Sequence, residues 1–254
     1  MNKTGAIILA AGKGRRIEAK SSNKVTFMLG DKPMILHAAH LLKQLKIKPV
    51  VVVIGFAKES VRNLFNGDVL FAEQRKRLGT AHATLVAVKK LPKDVENVLT
   101  LNGDDSAFYT KNIIKKLLSE HYKNKNVLTL LTINVSSPTG LGRIIKNSNG
   151  KILYIAEEKD ASPKQRKIKE INPGCYVFSV RFLKKYLPKV KKSSVTGEFY
   201  LVSLIDLAVR NNEKIQAIKG GKLPWRGVNT KEELLEAERL FLKRRQNFLQ
   251  IGKI

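Results

Sequence analysis

One cysteine, four histidines and one tryptophan in 254 residues leave little room for several kinds of chemistry. Cys175 cannot pair within the chain, so an internal disulfide framework is excluded, and its place in the apolar run GCYVFSV (174–180) reads as a buried thiol on a strand. Long uncharged apolar stretches are missing too. The N-terminal MNKTGAIILAAGKG turns to charge too soon for a secretory signal, and no run is long enough to span a bilayer, so a soluble, cytoplasmic protein without a membrane partner is expected. Acidic residues are scarce, 21 against 48 basic ones, and the formal net charge of +27 would attract any polyanion. Yet the cations are scattered. In KNIIKKLL (111–118), FLKKYLPKVKK (182–192) and FLKRRQNFL (241–249) they alternate with apolar residues at helical spacing, which reads as solvated helix faces and predicts no specific nucleic-acid partner.

What is present is an alternation of strands and helices. AIIL (6–9), VVVVI (50–54), VLF (69–71) and VLTL (98–101) read as strands buried on both faces, and the segments between them, such as PMILHAAHLLKQL (33–45) and TAHATLVAVKKL (80–91), carry apolar residues at three-and-four spacing. The expected fold is therefore α/β, with a doubly wound, mostly parallel sheet of Rossmann-like form. From about residue 127 the pattern loosens, a turn is expected at NSNG (147–150), and a small mixed β lobe should join the sheet. The C-terminal segment reads as a helix with Thr230 as N-cap, Glu233 three residues on, and Leu235, Leu242 and Leu249 on one side, either packed on its own domain or offered to a partner. Residues 1–229 form the expected main domain and 230–254 the helical appendage.

The stretch LAAGKGRRI (9–17) follows the first strand directly. Gly12 and Gly14 begin a dinucleotide fingerprint, but Ile17 stands where its third glycine belongs, and no G-K-[ST] follows to make a P-loop. A nicotinamide site is further disfavoured at the second strand, VVVVIGFAKE, where the nearest acid, Glu59, lies beyond the strand end. Ligands of doubly wound sheets bind outside the carboxyl ends of the strands, so this loop and the NGDD loop at 102–105 should open on one edge. Backbone N–H groups of a glycine-rich turn, with Lys13, Arg15, Arg16 and Lys24 nearby, suit phosphate oxygens. Asp104 or Asp105 could hold the hard divalent cation that accompanies a triphosphate.

Nine motifs in order carry a resemblance: LAAGKGRRI, NKV at Lys24, QRKRLGTAHA (74–83), NGD (102–104), PTGLGRI (138–144), AEEKDAS (156–162), EINPG (170–174), GEFYL (197–201) and GVNT (227–230). Over nearly the whole chain it resembles the uridyltransferase domain of the N-acetylglucosamine-1-phosphate uridyltransferase family. The resemblance implies that Leu9, Ala10, Ala11, Gly12 and Lys24 bind nucleotide phosphate and that Arg16 and Lys24 are catalytic, stabilising charge at the reacting phosphate. It implies that Gln74, Gly79 and Thr80 read the uracil, that Asn102, Gly103 and Asp104 complete the nucleotide site, and that Asp104 and Asn229 hold Mg²⁺. Gly140, Glu157 and Asn172 would line the amino-sugar pocket, with Tyr200 either touching the sugar or packing.

The implied reaction joins UTP and N-acetylglucosamine 1-phosphate, with glucose 1-phosphate or dTTP as alternative substrates and a non-catalytic sugar-nucleotide or polyanion binder as the alternative class. The sugar phosphate is already an anion, so no general base is needed, and no His, Cys or Ser triad is found. Several positions depart from the family pattern: Asn23 stands where a proline is common, GDDSA replaces G-D-x-P-L, and Ala81, Asn102, Leu141 and Val202 replace other residues. His82 reads as a satisfied core or capping histidine and Trp225 as either lid or core. Without hexapeptide repeats, the acetyltransferase β-helix of the bifunctional enzymes is not expected, and a monomer or an oligomer is equally open.

Overall fold

A computed structural model describes residues 3–17, 21–221 and 223–251, the side chains of Arg15 and of 245–251 lying outside the description. Strands appear where aliphatic and β-branched residues run together. They are β1 (Thr4–Ala10), β2 (Met28–Leu29), β3 (Lys32–Pro33), β4 (Val50–Ile54), β5 (Leu70–Glu73), β6 (Asn97–Asn102), β7 (Leu128–Asn134), β8 (Gly142–Lys146), β9 (Ile152–Ala156), β10 (Glu170–Asn172), β11 (Tyr176–Ser179) and β12 (Ile215–Lys219). The main sheet runs β5-β4-β1-β6-β11-β7-β10-β8-β9, with β12 also paired to β7, and β2-β3 form a separate ribbon. β5, β4, β1 and β6 are mutually parallel. From β11 onward the path is antiparallel, and β8, β9 and β10 form the expected lobe.

Helices α1 (Met34–Gln44), α2 (Lys58–Arg62), α3 (Thr80–Val88), α4 (Lys111–Lys123), α5 (Pro163–Arg166), α6 (Val180–Tyr186), α7 (Ser203–Arg210) and α8 (Lys231–Ile251) complete the fold. Two apolar clusters, one holding Ile8, Val52, Leu99 and Leu131 and the other Ile7, Val51, Val98 and Leu130, cover opposite faces of the sheet, the layering that a doubly wound order requires. Each alternate β1 residue enters a different cluster, as the pleat dictates. The NSNG turn joins β8 to β9, with Asn147 Oδ1 accepting from the N–H groups of Asn149 and Lys151.

Thr230 caps α8 as expected, its hydroxyl accepting from the Glu233 N–H at 3.2 Å. The leucine stripe is corrected. Leu235 and Leu242 are exposed, and Leu249's side chain lies outside the described residues, whereas Leu234, Ala237 and Phe241 pack on the domain. Those three sit at three-and-four spacing and so share the buried side. Among the described residues, no helix is long and apolar enough to cross a membrane.

Candidate active site

The carboxyl ends of β1 and β6 are tied together where the Gly103 N–H donates to the Leu9 carbonyl at 3.0 Å. A Cβ on Gly103 would stand 3.2 Å from that oxygen, so glycine lets the NGD loop lie flat against the LAAG loop. Ile17 is buried, one of the apolar residues that roof this end of the sheet, which accounts for its place outside any glycine fingerprint. Gly12 is exposed with open space around it, and Lys13 reaches back over the Phe56 ring.

Lys24 is the junction of the site. Its ammonium pairs with the Asp104 carboxylate and donates to the Val228 carbonyl at 2.7 Å and to Asn229 Oδ1 at 3.0 Å. Three segments some 80 and 125 residues apart along the chain thereby meet on one cation. The start of α8 fixes the third of them, because the Glu233 carboxylate accepts from the Asn229 N–H at 2.6 Å. Asp105 stands one residue further on, in the wall of the cavity beside this junction. It is buried, accepts from Asn102 Nδ2 at 2.9 Å, and is pushed well above the usual carboxylate range by burial and by the neighbouring Asp104. Asp104 is thus the acid that pairs with Lys24.

Beside this junction lies a cavity of about 160 Å³ lined by Leu9, Thr80, Asn102, Asp104, Gly140, Glu157, Asn172, Trp225 and Asn229, among others. The Glu157 carboxylate takes no hydrogen bond from the described residues. Burial, with Asp160 and Glu198 nearby, raises its carboxyl to about 7 against an opposing pull from Arg143. Its Oε1 would be 3.5 Å from a Cβ on Gly142. Asn172 is braced, its Nδ2 donating to the Tyr176 hydroxyl at 2.5 Å and its Oδ1 accepting from the Gly174 N–H at 3.1 Å. Trp225 serves both roles open to it, lining the cavity and belonging to the core. Arg16 is exposed and reaches toward the same mouth, its Nη1 lying 3.9 Å from where a Gly140 Cβ would be.

Gln74 is buried at the end of β5. Its Nε2 donates to the Gly79 carbonyl at 2.9 Å and lies 3.0 Å from Nδ1 of His82, whose pKa burial lowers. Both amide hydrogens are thereby used and Oε1 is left as a free acceptor. Gly79 holds φ +107°, and a Cβ there would sit 2.5 Å from the Phe199 carbonyl oxygen. The LGT and GEFYL motifs are in fact one structure, since the Phe199 N–H donates to the Leu78 carbonyl, the Ala81 N–H to the Phe199 carbonyl, and the Leu201 N–H to the Thr80 hydroxyl. Tyr200 falls outside the cavity lining, its hydroxyl bonded to Thr196 at 2.6 Å. The residues implied for the base, Gln74 and Gly79, stand beyond Thr80 and also outside that lining.

Sequence reading missed Arg143. It is 1% exposed, pairs with Glu158 at 2.6 Å and donates to the Leu141 carbonyl, while Glu158 accepts from the Gly140 N–H at 2.9 Å. Burial pushes the Glu158 carboxyl up, but the hydrogen bonds from Arg143 and Gly140 more than offset this and leave it below its ordinary value. This pair shapes the Gly140 loop, and an arginine flanked by GLG and II was its only signal.

Such an edge belongs to an α/β enzyme that acts on a nucleotide. Residues 5–244 match the family model described as Nucleotidyl transferase, and the chain belongs to that family. It is 39% identical over 239 residues to a protein named Bifunctional protein GlmU from Caldicellulosiruptor saccharolyticus, covering 93% of this chain and 51% of that one. A protein of the same name from Thermoanaerobacter pseudethanolicus is 36% identical over 238 residues, covering 94% and 51%. The counterpart from Desulfotalea psychrophila is 35% identical over 254 residues, covering 99% and 74%. The chain thus spans about half the length of the first two relatives. A crystal structure from Bacillus anthracis, described as a glucose-1-phosphate thymidylyltransferase in complex with sucrose, shares the fold, with TM-score 0.77 and 24% identity over 94% of this chain and 95% of that one.

Proposed function

We propose that this chain transfers a uridylyl group from UTP to N-acetylglucosamine 1-phosphate, releasing pyrophosphate. What supports the reading most is the Lys24 junction, which gathers Asp104, Asn229 and an ammonium at the mouth of a cavity holding an unbonded carboxylate. In the reaction an oxygen of the sugar phosphate attacks the α-phosphorus, a bond to the bridging oxygen breaks, and pyrophosphate carries the electrons away. No proton has to be removed, so the protein's task is to align two anions and offset their charge.

Arg16 and Lys24 supply that positive charge, and the peptide N–H groups of the LAAG loop approach the phosphates. Asp104 and Asn229 offer hard oxygen donors. The pair already draws a cation, and among the described residues no cluster of three or more His, Cys, Asp or Glu could form an all-protein metal cage. This suits Mg²⁺, which binds through one or two protein oxygens and completes its shell with water and phosphate. When bound, the ion would neutralise phosphate charge. Gln74 Oε1 gives the base an acceptor, which matches the N3–H of uracil. Glu157 and Asn172 hold polar atoms toward the sugar hydroxyl and amide groups.

A pyrophosphate-release assay with purified protein, Mg²⁺, four nucleoside triphosphates including dTTP, and a panel of sugar 1-phosphates tests the reading. The expected result is turnover greatest with UTP and N-acetylglucosamine 1-phosphate. Absence of release with UTP for every sugar phosphate overturns it.

A further inference from the structure

The phosphate-facing loop after β1 has little to hold its own shape. Gly12 is surrounded by open space, and Gly14 adopts φ +60°. Its form comes from elsewhere. Asn23 is completely buried, and its Nδ2 lies 2.9 Å from the Ala10 carbonyl, 3.1 Å from that of Gly12 and 2.8 Å from that of Phe56. The side-chain Oδ1 accepts from the Val25 N–H at 3.2 Å, and the backbone N–H donates to the Ser60 hydroxyl at 3.0 Å. Ser60 in turn donates to the Ala57 carbonyl at 2.7 Å. Three carbonyl oxygens facing one amide end also settle its orientation, since the reversed amide would set oxygen against oxygen.

Peptide units are planar and trans, so a carbonyl and the N–H that follows it point in opposite directions. Drawing the Ala10 and Gly12 carbonyls inward therefore turns the N–H groups of Ala11 and Lys13 away from Asn23. Through Oδ1 the same side chain caps the single turn that Lys24 opens. One buried amide thus sets both the direction of the loop's donors and the start of the turn that carries the junction lysine.

We propose that Asn23 is the positioning residue of the triphosphate subsite, touching no substrate itself but fixing the backbone that does. The proposal rests on the phosphate role given to this loop above. Asn23→Asp is the discriminating variant, because it keeps size and the acceptor for Val25 while removing the donors that three carbonyls require. Binding of inorganic tripolyphosphate with Mg²⁺, and separately of N-acetylglucosamine 1-phosphate, is measured by calorimetry on wild type, Asn23→Asp, Asn23→Ala and Ser60→Ala, alongside a thermal melt. Tripolyphosphate affinity is expected to fall about tenfold or more in both Asn23 variants, the worth of roughly one lost hydrogen bond, with the sugar phosphate within about twofold of wild type.

A merely structural role would lower both affinities together, and either that result or no change overturns the proposal. If neither Asn23 variant folds, Ser60→Ala decides, with a selective loss of about threefold expected from releasing the Asn23 backbone and equal or absent losses refuting it. A wild type that fails to bind tripolyphosphate removes the subsite and this role with it. A wild type that binds tripolyphosphate but performs no nucleotidyl transfer sinks the proposed reaction alone and leaves Asn23 to be judged by binding.

Discussion

The Glu157 carboxyl stands in a cavity wall with no hydrogen-bond partner among the described residues and is raised from 4.5 to about 7, chiefly by burial. Such a group destabilises the native state whenever it is ionised. The sign follows from linkage: between pH 4.5 and 7 the folded protein binds more protons than the unfolded chain, so stability falls as pH rises through that window and levels off above it. The span corresponds to roughly 3 kcal/mol at full ionisation. Glu157→Gln removes the ionisation and keeps the shape. Urea unfolding of both proteins from pH 4 to 8, taken as a difference so that other groups cancel, should show near equality at the acid end. At pH 8 the variant should gain up to about 3 kcal/mol. At pH 8 its KM for the sugar phosphate should exceed that of wild type about tenfold. A difference that is flat with pH, or a variant less stable at pH 8, would refute the placing of this carboxylate as an unpaired, ligand-awaiting group.

Three further outcomes are expected. Lys24→Met, with folding checked by circular dichroism, should lower kcat by on the order of 10² to 10³ in the pyrophosphate-release assay, because the charge at the junction is lost. Gly79→Ala should destabilise the protein by about 2 kcal/mol or more in urea melts and raise the KM for UTP, since φ +107° and the Phe199 backbone leave no room for a methyl group. With the Gly79 carbonyl holding Gln74 Nε2 and leaving Oε1 as an acceptor, CTP should be used at least about tenfold less efficiently than UTP, as paired kcat/KM measurements would reveal.

The parallel core was plain in the sequence because VVVVI and its neighbours have no polar alternation and admit only a strand covered on both sides. That Asp104 and Asn229 would lie together was expected only through resemblance, which gave Lys24 to phosphate and not to these two, since nothing local links positions so distant. Asn23 was noted as a departure from pattern, yet its hub was hidden: an asparagine in a loop reads as a turn former, and its acceptors at Ala10 and Phe56 become neighbours only after β1 and β4 have paired. Arg143 was missed for a similar reason, since its burial depends on the lobe bringing Glu158 alongside. The leucines of α8 misled because a seven-residue repeat is compatible with either face of a helix, and the choice lay with Phe241, packed against Gly30 and His37.

The lobe carrying Gly140, Glu157 and Asn172 meets β7 in register at two residue pairs, Ile133 with Ile171 and Asn134 with Glu170, and packs Ile144, Ile152 and Ile155 into one apolar cluster with Leu204 and Ile205 of α7. By contrast, β1 is laced to β4 and β6 along five and six pairs. The lobe is therefore held by side-chain packing more than by a ladder, so substitutions at those apolar contacts would shift the walls that carry Glu157 and Asn172 while β1 keeps its register.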